Sequence, residues 1–171
     1  VPAVTAQGTS PSATQVAAMK RFDLFVGEWR GAGWSTAATG KRVEFNLVET
    51  VARKTDGTVL LIEGRGTGKD RDGTETVTHD GLSLLYYDEK TGRYRWNGHE
   101  VSSGTVDAEA KPLDGGLEWT LHTDARGAAV RFTIKFDEVQ WHEVGEASAD
   151  GRTWSKFMEM TLARVSPKGT D

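Results

Sequence analysis

The chain contains no cysteine, which excludes disulfides, Cys-ligated zinc, iron–sulfur clusters and thiol catalysis together. Redox compartment is left open by the same absence. No apolar run approaches the ~18 residues that a membrane helix needs, so no helical membrane span is expected. An excess of one charge is missing too: 21 Lys and Arg stand against 25 Asp and Glu, for a net −4, and the basic residues are scattered singly. That distribution argues against nucleic acid or an anionic membrane as the main partner. Convincing helical periodicity is confined to one short stretch, and what fills the rest is strand and turn.

A length of 171 residues fits one domain able to bury ~70% of its unfolded surface. Residues 1–14 are rich in Ala, Thr, Ser, Gly and Pro without apolar periodicity, the composition of a disordered linker or tether. With a start at Val1 rather than Met, this predicts an extracytoplasmic protein, periplasmic or secreted, with the cytoplasm as the alternative. The domain is expected over 15–165, followed by a tail at 166–171. Between Thr14 and Val26, residues Val16, Ala17, Met19, Phe22, Leu24, Phe25 and Val26 recur at near-helical spacing, which predicts a short helix or a pair of helical turns covering one end of the domain.

From Trp29 to Val165 turn chemistry recurs at Thr39-Gly40, Asp56-Gly57, Asp72-Gly73, Thr91-Gly92, Ser103-Gly104, Gly115-Gly116, Arg126-Gly127 and Asp150-Gly151, with a weaker break at Asp137-Glu138. Glycine supplies the positive φ of hairpin turns. These breaks predict about ten strands, near 28–38, 41–53, 58–67, 74–87, 93–101, 105–112, 117–123, 129–136, 140–148 and 152–165. Connections this short join antiparallel neighbours only. Val43, Phe45 and Leu47 alternate with Arg42, Glu44 and Asn46; Leu117, Trp119 and Leu121 with Glu118, Thr120 and His122; Val130, Phe132 and Ile134 with Arg131, Thr133 and Lys135. A meander with one apolar face buries it by rolling up, which also removes the sheet edges. The expected fold is all-β, a ten-stranded antiparallel up-and-down barrel. Ten strands leave more interior than side chains fill, and the inward row Val106, Ala108, Ala110 is small. A two-layer sandwich with a solid core is the alternative.

The opening Gly27-Glu28-Trp29-Arg30-Gly31-Ala32-Gly33, a G-x-W-x-G-x-G element, resembles the first strand of calycin-type barrels, including the lipocalins and the haem-binding nitrobindin group. Phe22 through Trp29, Gly57 through Gly64, Trp141 through Glu146 and Asp150 through Met160 are similar to an uncharacterised bacterial family of calycin-like barrels. The resemblance covers about Phe22 to Val165 and implies fold, with no established activity. Nitrobindin-like barrels imply a ferric haem on a histidine of the last strand. Here that stretch reads Lys156-Phe157-Met158-Glu159-Met160-Thr161-Leu162, without histidine, so no cofactor is expected. A nitrobindin-like haem protein that uses Met158 or Met160 as the iron ligand is kept as an alternative against core packing of those methionines.

His79, His99, His122 and His142 fall on four different expected strands without a paired spacing, so no metal site is predicted. Gly64-Arg65-Gly66-Thr67-Gly68-Lys69-Asp70 fails as a phosphate loop because Glu63 occupies the first glycine position and no helix follows. Gly81-Leu82-Ser83-Leu84-Leu85 lacks the second glycine of a nucleophile elbow; Gly81 reads as a bulge in an overlong strand. No catalytic residue is assigned.

The remaining candidates are ligand-binding: Glu63, on a row with Val59 and Leu61; Tyr94, Arg95 and Trp96; Trp119; His142; and Met158. Fatty-acid-binding barrels hold a carboxylate with an inward Arg and Tyr, which invites comparison with Tyr94-Arg95, although alternation turns Arg95 outward. The leading expectation is a binder of a small apolar molecule in the barrel interior. An enzyme using His142, Glu143 or Glu146 is one alternative and an interaction module is another, the latter requiring an exposed apolar patch that the outward rows do not predict.

Overall fold

The computed structural model describes residues 10–37, 39–124 and 127–165. Ten strands follow one another: β1 (Gly27–Thr36), β2 (Arg42–Lys54), β3 (Val59–Lys69), β4 (Glu75–Asp88), β5 (Arg93–Glu100), β6 (Gly104–Leu113), β7 (Gly116–His122), β8 (Ala129–Phe136), β9 (Gln140–Ser148) and β10 (Ser155–Arg164). Each pairs antiparallel with its sequence neighbours, and β10 returns to β1, with Trp29 opposite Arg164, to close the barrel. Of the expected turn glycines, Gly40, Gly57, Gly73, Gly92, Gly104, Gly115, Gly127 and Gly151 have positive φ. The weak break is a real turn, where the Asp137 carboxylate accepts from the backbone N–H of Val139 and Gln140 at 2.8 and 2.7 Å. The linker at residues 1–9, Arg126 of one expected turn and the tail at 166–171 lie outside the described residues.

One end of the barrel is plugged. Helix α1 (Ala13–Met19) starts where the Ser12 hydroxyl accepts from the backbone N–H of Gln15 at 3.3 Å, and runs into a 3₁₀ segment at Lys20–Phe25. It therefore begins inside the stretch read as linker, because Ser12 supplies the cap. Met19, Phe22 and Phe25 are buried from this plug. Phe25 stacks on Phe136 at 4.6 Å and meets Trp141 edge-on at 4.5 Å, while the Trp29 indole donates to the Phe25 carbonyl at 3.0 Å. Arg164 locks the arrangement: its guanidinium lies 4.0 Å from the Trp29 ring centroid and donates to the carbonyls of Leu24, Val26 and Glu138.

The bulge in β4 is not at Gly81. Gly81 pairs regularly with Gly64 and Glu100, and the register slips instead where Gly66 and Thr67 face His79 and Val77, leaving Thr78 extra. Gly81 serves a close approach: a Cβ there would lie 3.0 Å from the His99 carbonyl oxygen and 3.3 Å from the Glu100 Cβ.

Candidate functional site

Strand alternation sends Leu47 and Glu49 (β2), Trp96 (β5), Trp119 (β7), Phe132 (β8) and Glu143 (β9) toward the barrel axis, where they line an interior cavity of 440 Å³. Its lining also includes Ser35, Val43, Ser102 and Ser103 at the end opposite the plug. The size lies within the 300–1,000 Å³ range of small-molecule sites. It is the room of about 15 waters at ~30 Å³ each. Two larger depressions, of 840 and 980 Å³, are open outer grooves lined by charged residues such as Arg42 and Lys69, or Arg65 and Asp80.

The cavity wall has an ordered aromatic stretch. Trp96 stacks on Trp119 at 5.7 Å and Trp119 on Phe132 at 4.4 Å. Between Trp96 and Trp119 the β6 row offers only Ala108 and Ala110, both buried, so the indoles meet over a strand that leaves them space. The Trp119 Nε1–H is buried without a hydrogen-bond partner among the described residues.

Acids reach this interior. Glu49 is 6% exposed and Glu143 is 8% exposed. Burial, with a smaller contribution from the charge of Glu143, pushes the Glu49 carboxyl up to about 8. Burial pushes Glu143 up to about 7, against a 3.1 Å hydrogen bond donated by the Trp141 indole. The Glu49 carboxyl rests over Gly64, where any Cβ would lie 2.7 Å from its Cδ; the absence of a side chain there makes its room.

Glu100 is the third acid. Burial works to raise its pKa, but the hydroxyls and backbone N–H groups of Ser102 and Ser103 all donate to its Oε2 at 2.6–2.9 Å and hold it at about 2. Its Oε1 is buried with no hydrogen-bond partner among the described residues. His79 Nδ1 stands 3.9 Å from that oxygen, and burial lowers the imidazole's pKa despite the opposing charges of Glu100 and Asp80.

The sequence-derived candidates divide between the two faces. Trp96, Trp119 and Met158 line the cavity. Tyr94 also points inward, but toward the plug, where its hydroxyl donates to the Ala18 carbonyl at 3.0 Å. Glu63 shares a row with Val59 and Leu61 as expected, but that row faces out, because Leu60, Ile62 and Gly64 take the buried positions. Arg95 is outward and pairs with Asp107. His142 is outward as well, its Nε2 3.0 Å from Glu159 Oε1. On the outer face Leu82 and Leu84 of β4 are 47% and 38% exposed.

A haem held as in nitrobindin-like barrels does not fit these residues. The inward groups of β10 include Met158, Met160 and Leu162 and no histidine. The most buried polar side chains of the lining are the carboxyls of Glu49 and Glu143, and the His79 imidazole lies on β4 beside Glu100. Among the described residues no group of three or more His, Asp or Glu could hold a metal ion.

Glu49 and Glu100 were not singled out in the sequence, and Glu143 was named there only as an acid–base candidate. The signal was present: stepping by two from Val43, Phe45 and Leu47 lands on Glu49, and stepping by two from Tyr94 and Trp96 lands on Gly98 and then Glu100.

No protein-family model matches the chain, and no curated protein matches it. Solved structures do. A Mycobacterium tuberculosis protein, Rv2717c, is similar with a TM-score of 0.62 at 14% identity, covering 91% of this chain and 100% of its own. The S-type phycobiliprotein lyase CPES of Guillardia theta is similar with a TM-score of 0.57 at 13% identity, covering 93% of this chain and 100% of its own. Both likenesses establish the fold, a ten-stranded calycin-like barrel.

Proposed function

We propose that this barrel binds a small, largely apolar molecule in its interior. One observation carries the reading: a 440 Å³ cavity remains inside a barrel whose plug end is densely packed. Burying an apolar ligand against Trp96, Trp119, Phe132 and Met158 contributes about 25 cal/mol for each Å² removed from water. Similarity of fold to a phycobiliprotein lyase is compatible with a barrel that holds a small molecule but names none for this chain. Native mass spectrometry of protein purified from its own host tests the reading. A retained molecule that is lost on denaturation, and held less by Val106→Trp, whose indole takes up part of the cavity, is the expected result. A bare mass for both proteins would count against it.

A second reading, acid–base catalysis on a bound molecule, is supported by Glu143 at about 7, in the range a general acid or base needs. The outward His142 gives it no support. Conversion of the retained molecule during incubation, abolished in Glu143→Gln, would favour catalysis over binding alone. An extracytoplasmic location is part of the proposal, resting on the composition of residues 1–14; a purely cytosolic fraction would remove it.

A further inference from the structure

We propose that the cavity selects a molecule with an apolar body and a protonated nitrogen, an organic ammonium, seated against the interior carboxyls. This rests on the binding reading above and adds the charge of the ligand. Three acids from three strands, Glu49, Glu100 and Glu143, line one cavity, and no Lys or Arg is among its described lining residues. Arg95, Arg131 and Arg164 are engaged outside the cavity, with Asp107, Glu146 and the plug carbonyls.

Two carboxyls offer acceptors without a hydrogen-bond partner among the described residues. Glu49 is 6% exposed and its carboxyl, lying over Gly64, makes no hydrogen bond among the described residues. Glu100 Oε1 is buried and unpaired, while its sister oxygen takes four donors from Ser102 and Ser103. An unpaired polar group inside an apolar wall is costly. A donor on the ligand removes that cost at the carboxyl it reaches, and in a cavity lined by three acids a cationic donor is favoured over a neutral one. An anionic ligand would meet three acids and a single orphan donor, the Trp119 indole N–H. That N–H is left for an acceptor atom elsewhere on the ligand.

Among the described lining residues the titratable groups are Glu49 from β2, His79 from β4, His99 and Glu100 from β5, and Glu143 from β9. The lining side chains from the other six strands are not ionisable. His79, its imidazole driven toward the neutral form by burial, supplies no standing positive charge near neutral pH. In the empty cavity Glu49 keeps its proton near neutral pH. An arriving ammonium favours the ionised carboxylate, so binding releases a proton and strengthens as pH rises.

The experiment is calorimetric titration with three probes of one size: 2-(1-naphthyl)ethylamine, 2-(1-naphthyl)ethanol and 1-naphthylacetate. Near pH 8 the amine is expected to bind about tenfold tighter than the alcohol, the margin between a charge-assisted and a neutral hydrogen bond, with the acetate weakest. From about pH 6 to pH 8 the amine's affinity should climb while the alcohol's stays flat. Glu49→Gln should erase the amine's advantage and leave the alcohol's affinity in place; Glu143→Gln should narrow it. An alcohol that binds as tightly as the amine, or an acetate that binds tightest, overturns the ammonium assignment and leaves the cavity reading standing. If Glu49→Gln weakens amine and alcohol equally, the ammonium assignment also falls. Binding by none of the three up to millimolar concentration overturns the cavity reading and this assignment with it.

Discussion

Replacing Glu49 by glutamine should make the protein more stable in mild alkali and change little in mild acid. In the folded state burial lifts this carboxyl from 4.5 to about 8, whereas in the unfolded chain it ionises at its ordinary value. A raised carboxyl leaves stability intact below the unfolded pKa and removes it as pH climbs through the folded one, because only the unfolded state gains from ionising in between. Each pH unit in that window costs the folded state about 1.4 kcal/mol. The full window sums to about 5 kcal/mol, and relaxation and water entry around a buried charge return part of it. We expect the stability advantage of Glu49→Gln over the native protein to grow by about 3 kcal/mol between pH 5 and pH 8. Whatever the amide itself costs is common to both pH values, so the comparison reads Glu49 together with its coupling to Glu143. Urea unfolding followed by tryptophan fluorescence reads it: with a slope of about 2 kcal/mol per molar, the gap between midpoints should widen by about 1.5 M. A gap that stays constant to within about 0.5 kcal/mol would show that Glu49 is not desolvated, and the account of the interior would be wrong.

Gly64→Ala should destabilise by about 1–3 kcal/mol, because its Cβ would meet the Glu49 carboxyl. The cost should shrink in a Glu49→Ala background, and an undiminished cost in the double-mutant cycle would place the strain elsewhere. Arg164→Met should cost about 2 kcal/mol by stranding the carbonyls of Leu24, Val26 and Glu138; amide exchange across residues 20–26 should quicken ahead of the barrel strands, and uniform exchange would deny the guanidinium its role as the lock on the plug.

Why was the barrel legible and its polar interior not? Hairpin turns announce themselves chemically, and the positive φ at Gly40, Gly73, Gly92, Gly104 and Gly151 is what glycine at those positions predicts. Strand faces follow from alternation wherever apolar residues outnumber polar ones, as in Val43–Phe45–Leu47 and Leu117–Trp119–Leu121. Alternation misleads when the inward row itself turns polar or small. In β3 the buried row passes from Leu60 and Ile62 to Gly64 and Gly66, so the outward Val59 and Leu61 look equally eligible and carry Glu63 with them. In β9 the inward Trp141–Glu143–Gly145 competes with the outward His142–Val144–Glu146, and neither row is plainly apolar. The bulge at Thr78 shifts β4 by one residue without a glycine to mark it. Buried acids such as Glu49 and Glu143 are also where patterning misleads, because a carboxyl on an apolar row runs against the usual exposure of Glu.

The most direct test of a hollow, ligand-binding barrel uses its six tryptophans as reporters. Trp96, Trp119 and Trp141 line the cavity, whereas Trp34 lies under Arg42 and Trp154 under Arg131 on the outer face. In a nitrogen-15 NMR titration with 2-(1-naphthyl)ethanol, the indole N–H resonances of the three cavity residues should move together and saturate, and those of Trp34 and Trp154 should stay in place. Movement confined to Trp34 or Trp154, or saturation at none of the six, would contradict the account.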